Sequence, residues 1–368
     1  MCGGSGRKLS RSGRLPRRPP CRLGPRRRAL VLDFTPTPAR ADSTDDYHVA
    51  SFQFYTENDT YLRSGTTDEY YTNGIRIAWI RNPNSNPGWT QRLVDTWCRS
   101  RLCPDVPEDI AYGHAIGQNM YTPDSIIDPN PQLDDRPWAG YLYYSWLVSA
   151  TFPSLNEKGG PEPVQNLFEF QVGLVGPGAG ARWAQTFVHE NLCHPPCPTP
   201  LGWSNQLKNE PTANVIYLWR KKIGSQSFDV VPHWGAALGN VQTYANVGAT
   251  VRLGYGITSF PQLIVAPSNS DSFKPGPIEA YLFAGGDGRI VAHNIFLDGN
   301  TFRSGPEIDI HRNKFVIDWK AGAAFRYKAW RFDYTYVKRS AEFEPPSGRA
   351  DGVHRFGSIA LSYSLWRP

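Results

Sequence analysis

Apolar and polar residues alternate with a period of two along most of this chain from His48 onward. In the run 141–152, the even positions are apolar and most odd positions carry hydroxyl groups. A period of two places successive side chains on opposite faces of a β-strand. Twelve such runs can be counted, beginning near residues 50, 75, 109, 141, 168, 212, 226, 242, 278, 315, 330 and 359. The pattern therefore predicts an all-β protein.

The two faces of these runs differ in chemistry. One face is apolar with aromatic residues towards the strand ends, whereas the other carries charges and hydroxyl groups, as at Asp318, Lys320 and Arg326. Many runs exceed the roughly 9–11 residues that a tilted membrane strand needs, and this polarity is typical of a barrel with a polar interior. We predict a twelve-stranded antiparallel transmembrane β-barrel. A soluble β-sandwich or lipocalin-like barrel is the alternative, with shorter strands and an inward-facing apolar side.

A helical insert interrupts the strand pattern after Gly176-Pro177. It places Gln185 and His189 four residues apart, and therefore on one face of a helix. A Pro- and Cys-rich loop follows, up to Pro211. Long inserts between strands tend to be functional, so we predict that this short helical extracellular loop carries the site.

Alternating strand directions place every second loop at the same rim of a barrel. The connections 59–70, 121–138 and 177–211 then share one rim, which is the outer one in an outer-membrane barrel. The predicted helix and the Asn58-Asp59 turn would meet at that rim.

The charge balance separates the first 40 residues from the rest. The net charge is +6, yet residues 1–40 hold eleven Lys or Arg and one acid, so the remaining residues carry a net −4. This distribution gives no support to a nucleic-acid surface on the folded part. We predict that 1–42 is a disordered basic tail or an atypical export signal, with a short apolar patch at 29–32 and a small-x-small site at 39–41. The barrel domain is predicted to span 43–368.

Four of the six cysteines form two close pairs. Cys98 and Cys103 are one pair, and Cys193 and Cys197 are the other. In an exported protein, such pairs suggest two local loop disulfides.

The predicted shared rim gathers groups that could perform chemistry. A histidine beside a carboxylate can act as a general base near neutral pH, and Asp59 could orient His189 or hold a hard cation such as Ca²⁺. Each residue also has a structural interpretation: His189 as a packing residue, Asn58-Asp59 as a turn, Thr72 as a strand former, and Asp135-Arg136 as an ion pair or cap.

An ordered series of short motifs carries a resemblance to a known family. The motifs are Phe54-Tyr55-Thr56-Glu57-Asn58-Asp59, Tyr71-Thr72-Asn73-Gly74, Gly117-Gln118-Asn119-Met120-Tyr121-Thr122-Pro123, Asp135-Arg136-Pro137-Trp138-Ala139-Gly140, Val175-Gly176-Pro177, Gln185-x-x-x-His189 and Gly202-Trp203-Ser204-Asn205-Gln206-Leu207. Over about residues 48–368 the chain resembles the outer-membrane lipid A 3'-O-deacylases. The resemblance implies a monomer in the Gram-negative outer membrane that hydrolyses the 3'-linked acyloxyacyl group of lipid A in lipopolysaccharide, with Ca²⁺ as cofactor.

The resemblance also implies roles for individual residues. His189 would activate water, Asp59 would bind the cation with Asn58 beside it, and Thr72 would line the site. Gln185 would support the helix face and contact substrate. Some members have a lysine after the third strand for a lipid phosphate, but 121–135 has neither Lys nor Arg, which leaves Arg136 as the nearest base.

Two other functions remain open at this stage. One is a non-catalytic outer-membrane barrel, either a pore or a structural protein. The other is an outer-membrane phospholipase with a nucleophilic serine, although the sequence has no Gly-x-Ser-x-Gly elbow.

Overall fold

The computed structural model describes residues 49–62, 70–81, 86–99, 103, 106–155, 159–193, 197–262, 276–344 and 352–365, and the side chains at 49, 60, 62, 70–72, 276 and 277 are excepted. The predicted tail, 1–42, lies outside the described residues. So does His194, beside the second cysteine pair.

The strands form one closed antiparallel sheet. They are β1 (Val49–Asn58), β2 (Tyr70–Arg81), β3 (Asp109–Thr122), β4 (Ala139–Phe152), β5 (Val164–Val175), β6 (Glu210–Lys221), β7 (Ile223–Gly224), β8 (Phe228–Gly239), β9 (Gln242–Tyr255), β10 (Gly276–Asn294), β11 (Phe315–Lys328), β12 (Trp330–Arg339) and β13 (His354–Ser364). Each long strand pairs with the next, and pairing of β1 with β13 closes the barrel. The two-residue β7 pairs with β8 beside β6, so twelve long strands make the wall, as predicted.

Within the described residues, three short α-helices lie in the connections. They are α1 (Gly88–Cys98), α2 (Ala181–Asn191) and α3 (Ile295–Asp298). Helix α2 is the predicted insert. Helix α1 was not predicted, and α3 corrects the prediction of a strand continuing to 297, because the chain turns into a helix at Ile295. Within the described part of the chain, none of the helices is long and apolar enough to cross a membrane.

Side chains alternate between the two surfaces of the wall as the sequence predicts. On β1, Phe52 and Phe54 are exposed on the outside, whereas Ser51 and Gln53 are buried inside. The interior holds charged residues in pairs: Arg76 donates to Glu169 at 2.8 Å. Buried charges require partners. The polar faces of the strands can therefore point into the barrel because their charged side chains pair with one another.

Segments from both ends enter the barrel interior and obstruct it. From the rim that bears α2, Phe296 of α3 stacks on Tyr121 with ring centroids 3.9 Å apart. From the opposite rim, Arg220 covers the ring of Phe260 at 4.6 Å and donates to the Pro261 carbonyl at 2.7 Å. Both segments occupy the space that a conducting pore would need.

Both predicted disulfides are present. Cys98 is bonded to Cys103, and Cys193 to Cys197. The first begins at the last residue of α1, in the connection between β2 and β3, and the second lies between β5 and β6. They are therefore at opposite rims of the meander.

Candidate functional site

Helix α2 lies against the outside of the barrel wall. Gly140 has the outward orientation of β4, and a Cβ atom built there would lie 2.6 Å from Ala181 Cβ and 3.3 Å from Ala179 Cβ. The outward Gln118 of β3 donates to the Ala179 carbonyl at 2.6 Å. A glycine at 140 thus allows the start of the helix to approach the sheet closely.

Two glycines make the sharp entry into α2 possible. Gly176 and Gly180 have φ angles of 107° and 73°, which side chains rarely adopt. Between them, 177–179 forms a 3-10 turn that starts with Pro177. The Asn209 side chain accepts from the Gly178 N–H at 2.7 Å, which ties the turn to the end of the insert.

The buried face of α2 is formed by Ala181, Gln185 and His189, which are spaced by four residues. Ala181 packs in a cluster with residues from β3 and the adjoining loops: Met120, Ile126, Trp138 and Trp203. Both predicted polar residues therefore face inward, towards the wall and these loops.

Gln185 is held in one orientation by an indole. Trp203 Nε1 donates to Gln185 Oε1 at 2.7 Å, and the Gln185 side chain is 2 % exposed. Among the residues that the structure describes, no acceptor bonds to Gln185 Nε2, although that atom is buried. A buried amide donor without an acceptor is costly in the free protein, and such a donor is suited to a bound polar group.

His189 has a defined tautomer. Its ring is 5 % exposed, and Nδ1 lies 2.6 Å from the Pro198 carbonyl oxygen. A carbonyl only accepts hydrogen bonds, so Nδ1 carries the proton, and in the neutral ring Nε2 holds the lone pair. The Cys193–Cys197 disulfide closes the segment between the end of α2 and Pro198.

Asn58 and Asp59 lie at the same rim as α2. Asn58 is opposite Asn73, Asn73 is opposite Met120, and Met120 is opposite Gly140. This outward row crosses four strands and ends beneath the first turn of α2. Asp59 follows directly as the first residue of a 3-10 turn, and its side chain is buried.

Thr72 is the extra residue of a β-bulge. The pairing of β2 with β3 shifts between Tyr71 and Asn73, so Thr72 has no partner in the register. Bulges often occur beside active sites because they redirect side chains. The side chain of Thr72 lies outside the described residues.

Arg136 is placed differently from the expectation of a lipid-phosphate contact. It is 1 % exposed and donates to Glu342 at 2.9 Å, with its guanidinium over the Tyr121 ring at 5.4 Å. Asp135 accepts from the backbone N–H of Asp124 at 3.0 Å, as a loop cap. The geometry therefore agrees with a structural role, in which Arg136 forms an ion pair and Asp135 caps a loop. Arg136 does not face a lipid phosphate because Glu342, distant in sequence, supplies its counter-charge.

The side-chain oxygens of Asn58 and Asp59 are of the kind that a hard cation binds, but they are fewer than such a cation needs. Within the described ranges, no group of three His, Cys, Asp or Glu side chains could hold a metal. A Ca²⁺ ion also accepts amide and backbone oxygens and water. The Asp59 carboxylate and Asn58 carboxamide fit such a set, provided that the remaining ligands are of these kinds.

Sequence reasoning missed the residues that orient Gln185 and His189. Pro198 acts through its carbonyl, which every residue has, so the residue type gave no signal. Trp203 stood within the motif Gly202-Trp203-Ser204-Asn205, but its partner was not evident. A Cβ atom added to Gly202 would lie 2.5 Å from the Trp138 indole, so the position next to Trp203 needs a glycine.

The described molecule is an antiparallel transmembrane β-barrel with a filled polar interior and a histidine-bearing helix on its outer wall. The family described as "Outer membrane protein LpxR" matches residues 29–365. The chain belongs to this family, as the sequence motifs predicted, and its location is the Gram-negative outer membrane.

Comparison with the solved structure of LpxR from Salmonella typhimurium supports the fold. LpxR from Salmonella typhimurium is similar with a TM-score of 0.62 and 19 % identity, over 86 % of this chain and 100 % of that one. The KdgM porin gives a TM-score of 0.36 and 7 % identity, over 86 % and 99 %. The translocator domain of the autotransporter NalP from Neisseria meningitidis gives 0.34 and 9 %, over 86 % and 87 %. No curated protein matches the sequence.

Proposed function

We propose that this protein is an outer-membrane ester hydrolase that removes the 3'-linked acyloxyacyl group of lipid A. Membership of the LpxR family supports the substrate class. The observation that carries the chemistry is the hydrogen bond of His189 to the Pro198 carbonyl, which makes Nε2 the basic nitrogen of a buried ring.

The reaction follows from that tautomer. Nε2 accepts a proton from a water molecule as the water oxygen bonds to the ester carbonyl carbon. The resulting tetrahedral intermediate collapses when the bond from carbon to the sugar oxygen breaks. The imidazolium returns its proton to the departing sugar oxygen, which leaves a free fatty acid and a 3'-hydroxyl. No covalent acyl-enzyme is formed.

Asp59, with Asn58 beside it, is the proposed holder of a Ca²⁺ ion. When bound, the ion would supply positive charge near the developing oxyanion. Gln185 Nε2 is the proposed donor to a polar group of the substrate, because Trp203 fixes the opposite end of the carboxamide. Thr72 is proposed to line the site from the bulge of β2.

The dimensions of the outer wall are compatible with a meeting of His189 and Asp59. From Ala181 to His189 the helix rises about 12 Å. Three strand spacings from β4 to β1 amount to about 14 Å. We propose that α2 runs across the strands, so that its third turn, which carries His189, approaches the Asn58-Asp59 turn.

Mass spectrometry of lipid A tests the proposal. Cells that express the wild type should contain lipid A lacking the 3'-linked acyloxyacyl group. His189→Gln should abolish this change, whereas His311→Gln, an exposed histidine at the same rim, should retain it. Both barrels should keep their resistance to heat in detergent. Undiminished deacylation by His189→Gln would exclude His189 as the base.

The filled interior argues against the pore alternative. Phe296 and the 256–262 segment occupy the lumen from opposite ends. We therefore expect no stable conductance in planar bilayers. The phospholipase alternative is tested by giving the purified protein glycerophospholipids, and release of fatty acid from them but not from lipid A would favour it.

A further inference from the structure

The outward face of α2 is aromatic and exposed. The rings of Trp183 and Phe187 stack with centroids 5.6 Å apart and planes at 19°, and they are 72 % and 46 % exposed. Each lies two residues before a buried residue, Gln185 or His189. At about 100° per residue, two positions correspond to about 200°, so the aromatic pair points away from the barrel.

This polarity is unusual for a helix in water. A surface helix normally turns charged and polar residues outward. Here the buried face holds an amide and an imidazole, while two aromatic rings face out beside a single exposed acid, Glu190. Such exposed aromatic side chains are typical of helices that lie at a membrane interface.

The aromatic pair continues the apolar outer surface of the barrel. Gly140, which contacts the first turn of α2, is two residues from the outward, exposed Leu142 on the same strand. That separation is about 7 Å. Ile116 and Val172, on the flanking strands, are also exposed on this surface. The lipid-facing surface of the barrel thus extends to the first turn of α2.

We infer that Trp183 and Phe187 contact the acyl chains of the outer leaflet and seat α2 at the boundary between acyl chains and headgroups. The occupant of this face is surrounding lipid, because the face is continuous with the lipid-facing wall. The seating itself does not depend on the proposed reaction. Its catalytic consequence does rest on that function: the helix would hold His189 at the depth of the acyl ester.

Spin labelling of the full chain in vesicles tests the seating. Replacing Cys2 and Cys21 by serine leaves only disulfide-bonded cysteines, so Phe187→Cys introduces a single reactive thiol. Vesicles of phosphatidylethanolamine and phosphatidylglycerol provide lipid without substrate. Collision of the label with oxygen and with a water-soluble nickel chelate reports whether lipid or water surrounds it.

Two matched positions calibrate the result. Glu307→Cys is exposed in a loop at the same rim, and Leu282→Cys is 66 % exposed on the wall of β10. We expect the oxygen-to-nickel ratio at 187 to be several-fold above that at 307 and close to that at 282. A ratio equal to that at 307 overturns the inference. Dipolar broadening that disappears on dilution with unlabelled protein would assign the face to a second copy, and would overturn it as well.

A second measurement separates this inference from the proposed function. The double variant Trp183→Asp with Phe187→Asp should deacylate lipid A in vesicles about tenfold more slowly, because charged side chains oppose burial in lipid. Lipid A dispersed in detergent should still be cleaved at the wild-type rate. Equal loss in both preparations would overturn the seating role. If the wild type cleaves neither, the proposed function fails, while the spin-label result still decides where the helix lies.

Discussion

At the residue scale, the site depends on which atoms of Gln185 and His189 already form hydrogen bonds within the protein. His189 uses Nδ1 on a backbone carbonyl, and Gln185 uses its oxygen on an indole. In Gln185 this makes Nε2 the buried donor that has no acceptor among the described residues, and in His189 it makes Nε2 the nitrogen that holds the lone pair. Preorganisation of this kind avoids reorientation during the reaction.

Replacement of Asp59 should weaken cation binding specifically. Asp59→Asn keeps the size of the side chain but removes the charge that a hard cation prefers. We expect the Ca²⁺ dissociation constant, measured by calorimetry on the detergent-solubilised protein, to rise by on the order of tenfold or more. Asp134→Asn, an exposed acid at the same rim, should leave it unchanged. Equal affinities in both variants would remove Asp59 from the cation site.

The site was predictable from the sequence only in part, for physical reasons. The positions of Gln185 and His189 on one buried face follow from helical spacing, which is a local property. The bond to Pro198 could not be predicted, because it involves a main-chain oxygen placed by a loop. Arg136 was expected at a lipid phosphate because it is the base nearest to a loop without Lys or Arg. Its counter-charge, Glu342, lies 206 residues away in sequence. Contacts of that separation leave no trace in a local pattern.

At the element scale, the strands were predictable, whereas of the three α-helices in the described loops only α2 was. A strand with one wet and one apolar face must alternate at every position, so all twelve long strands left a signal. Helix α1 buries only Thr90 and Val94, so its signal is weak. Helix α2 was recognised from its motif, but the outward aromatic pair reverses the polarity that defines an ordinary surface helix.

The close contact of α2 with the wall gives a test at this scale. Gly140→Val would place atoms where Ala181 and Ala179 now lie, so the start of the helix must move outward. Because a displacement of about 1 Å can cost roughly a hundredfold in rate, we expect activity to fall by about that factor. Heat resistance of the barrel should be unchanged.

Gly288→Val is the matched control for Gly140→Val. It is also an outward strand glycine, but an added Cβ there would meet nothing closer than a carbonyl oxygen at 3.9 Å. It should retain full activity. Equal activity of the two variants would show that the contact of α2 with β4 has no catalytic importance.

The two disulfides allow a second test at this scale, in which removal of one is compared with removal of the other. Replacing Cys193 and Cys197 by serine should release the segment that presents Pro198 to His189. General base catalysis contributes about 10²–10⁴-fold, and partial loss of the fixed tautomer should cost roughly tenfold in kcat with little change in KM. The double serine variant of Cys98 and Cys103, at the opposite rim, should leave both parameters unchanged. Equal losses in the two variants would assign the effect to general stability.

At the scale of the whole molecule, one ion pair joins connections that are far apart in the chain. Glu342, after β12, accepts from Arg136 in the connection before β4. It also lies 3.7 Å from Arg339 at the end of β12. The pair thus links the loop next to α2 to the opposite part of the sequence at the same rim.

Acid should break this link within a defined range of pH. Burial alone would raise the pKa of Glu342, but Arg339 and Arg136 outweigh it and lower the pKa from its ordinary value of 4.5 to about 2. A carboxyl group with a lowered pKa stabilises the fold above its ordinary pKa, and this contribution is lost as the pH falls from about 4.5 to about 2. Thermal unfolding of the wild type in detergent should therefore shift to lower temperature across that range.

Glu342→Gln removes the titration as well as the pair. Loss of one partner of a buried ion pair costs about 3–5 kcal/mol, so this variant should unfold at lower temperature already at pH 7 and show a flatter dependence between pH 4.5 and 2. Glu344→Gln, exposed two residues further on, should follow the wild-type curve. If Glu342→Gln unfolds with the wild-type pH dependence, other carboxyl groups govern the acid transition.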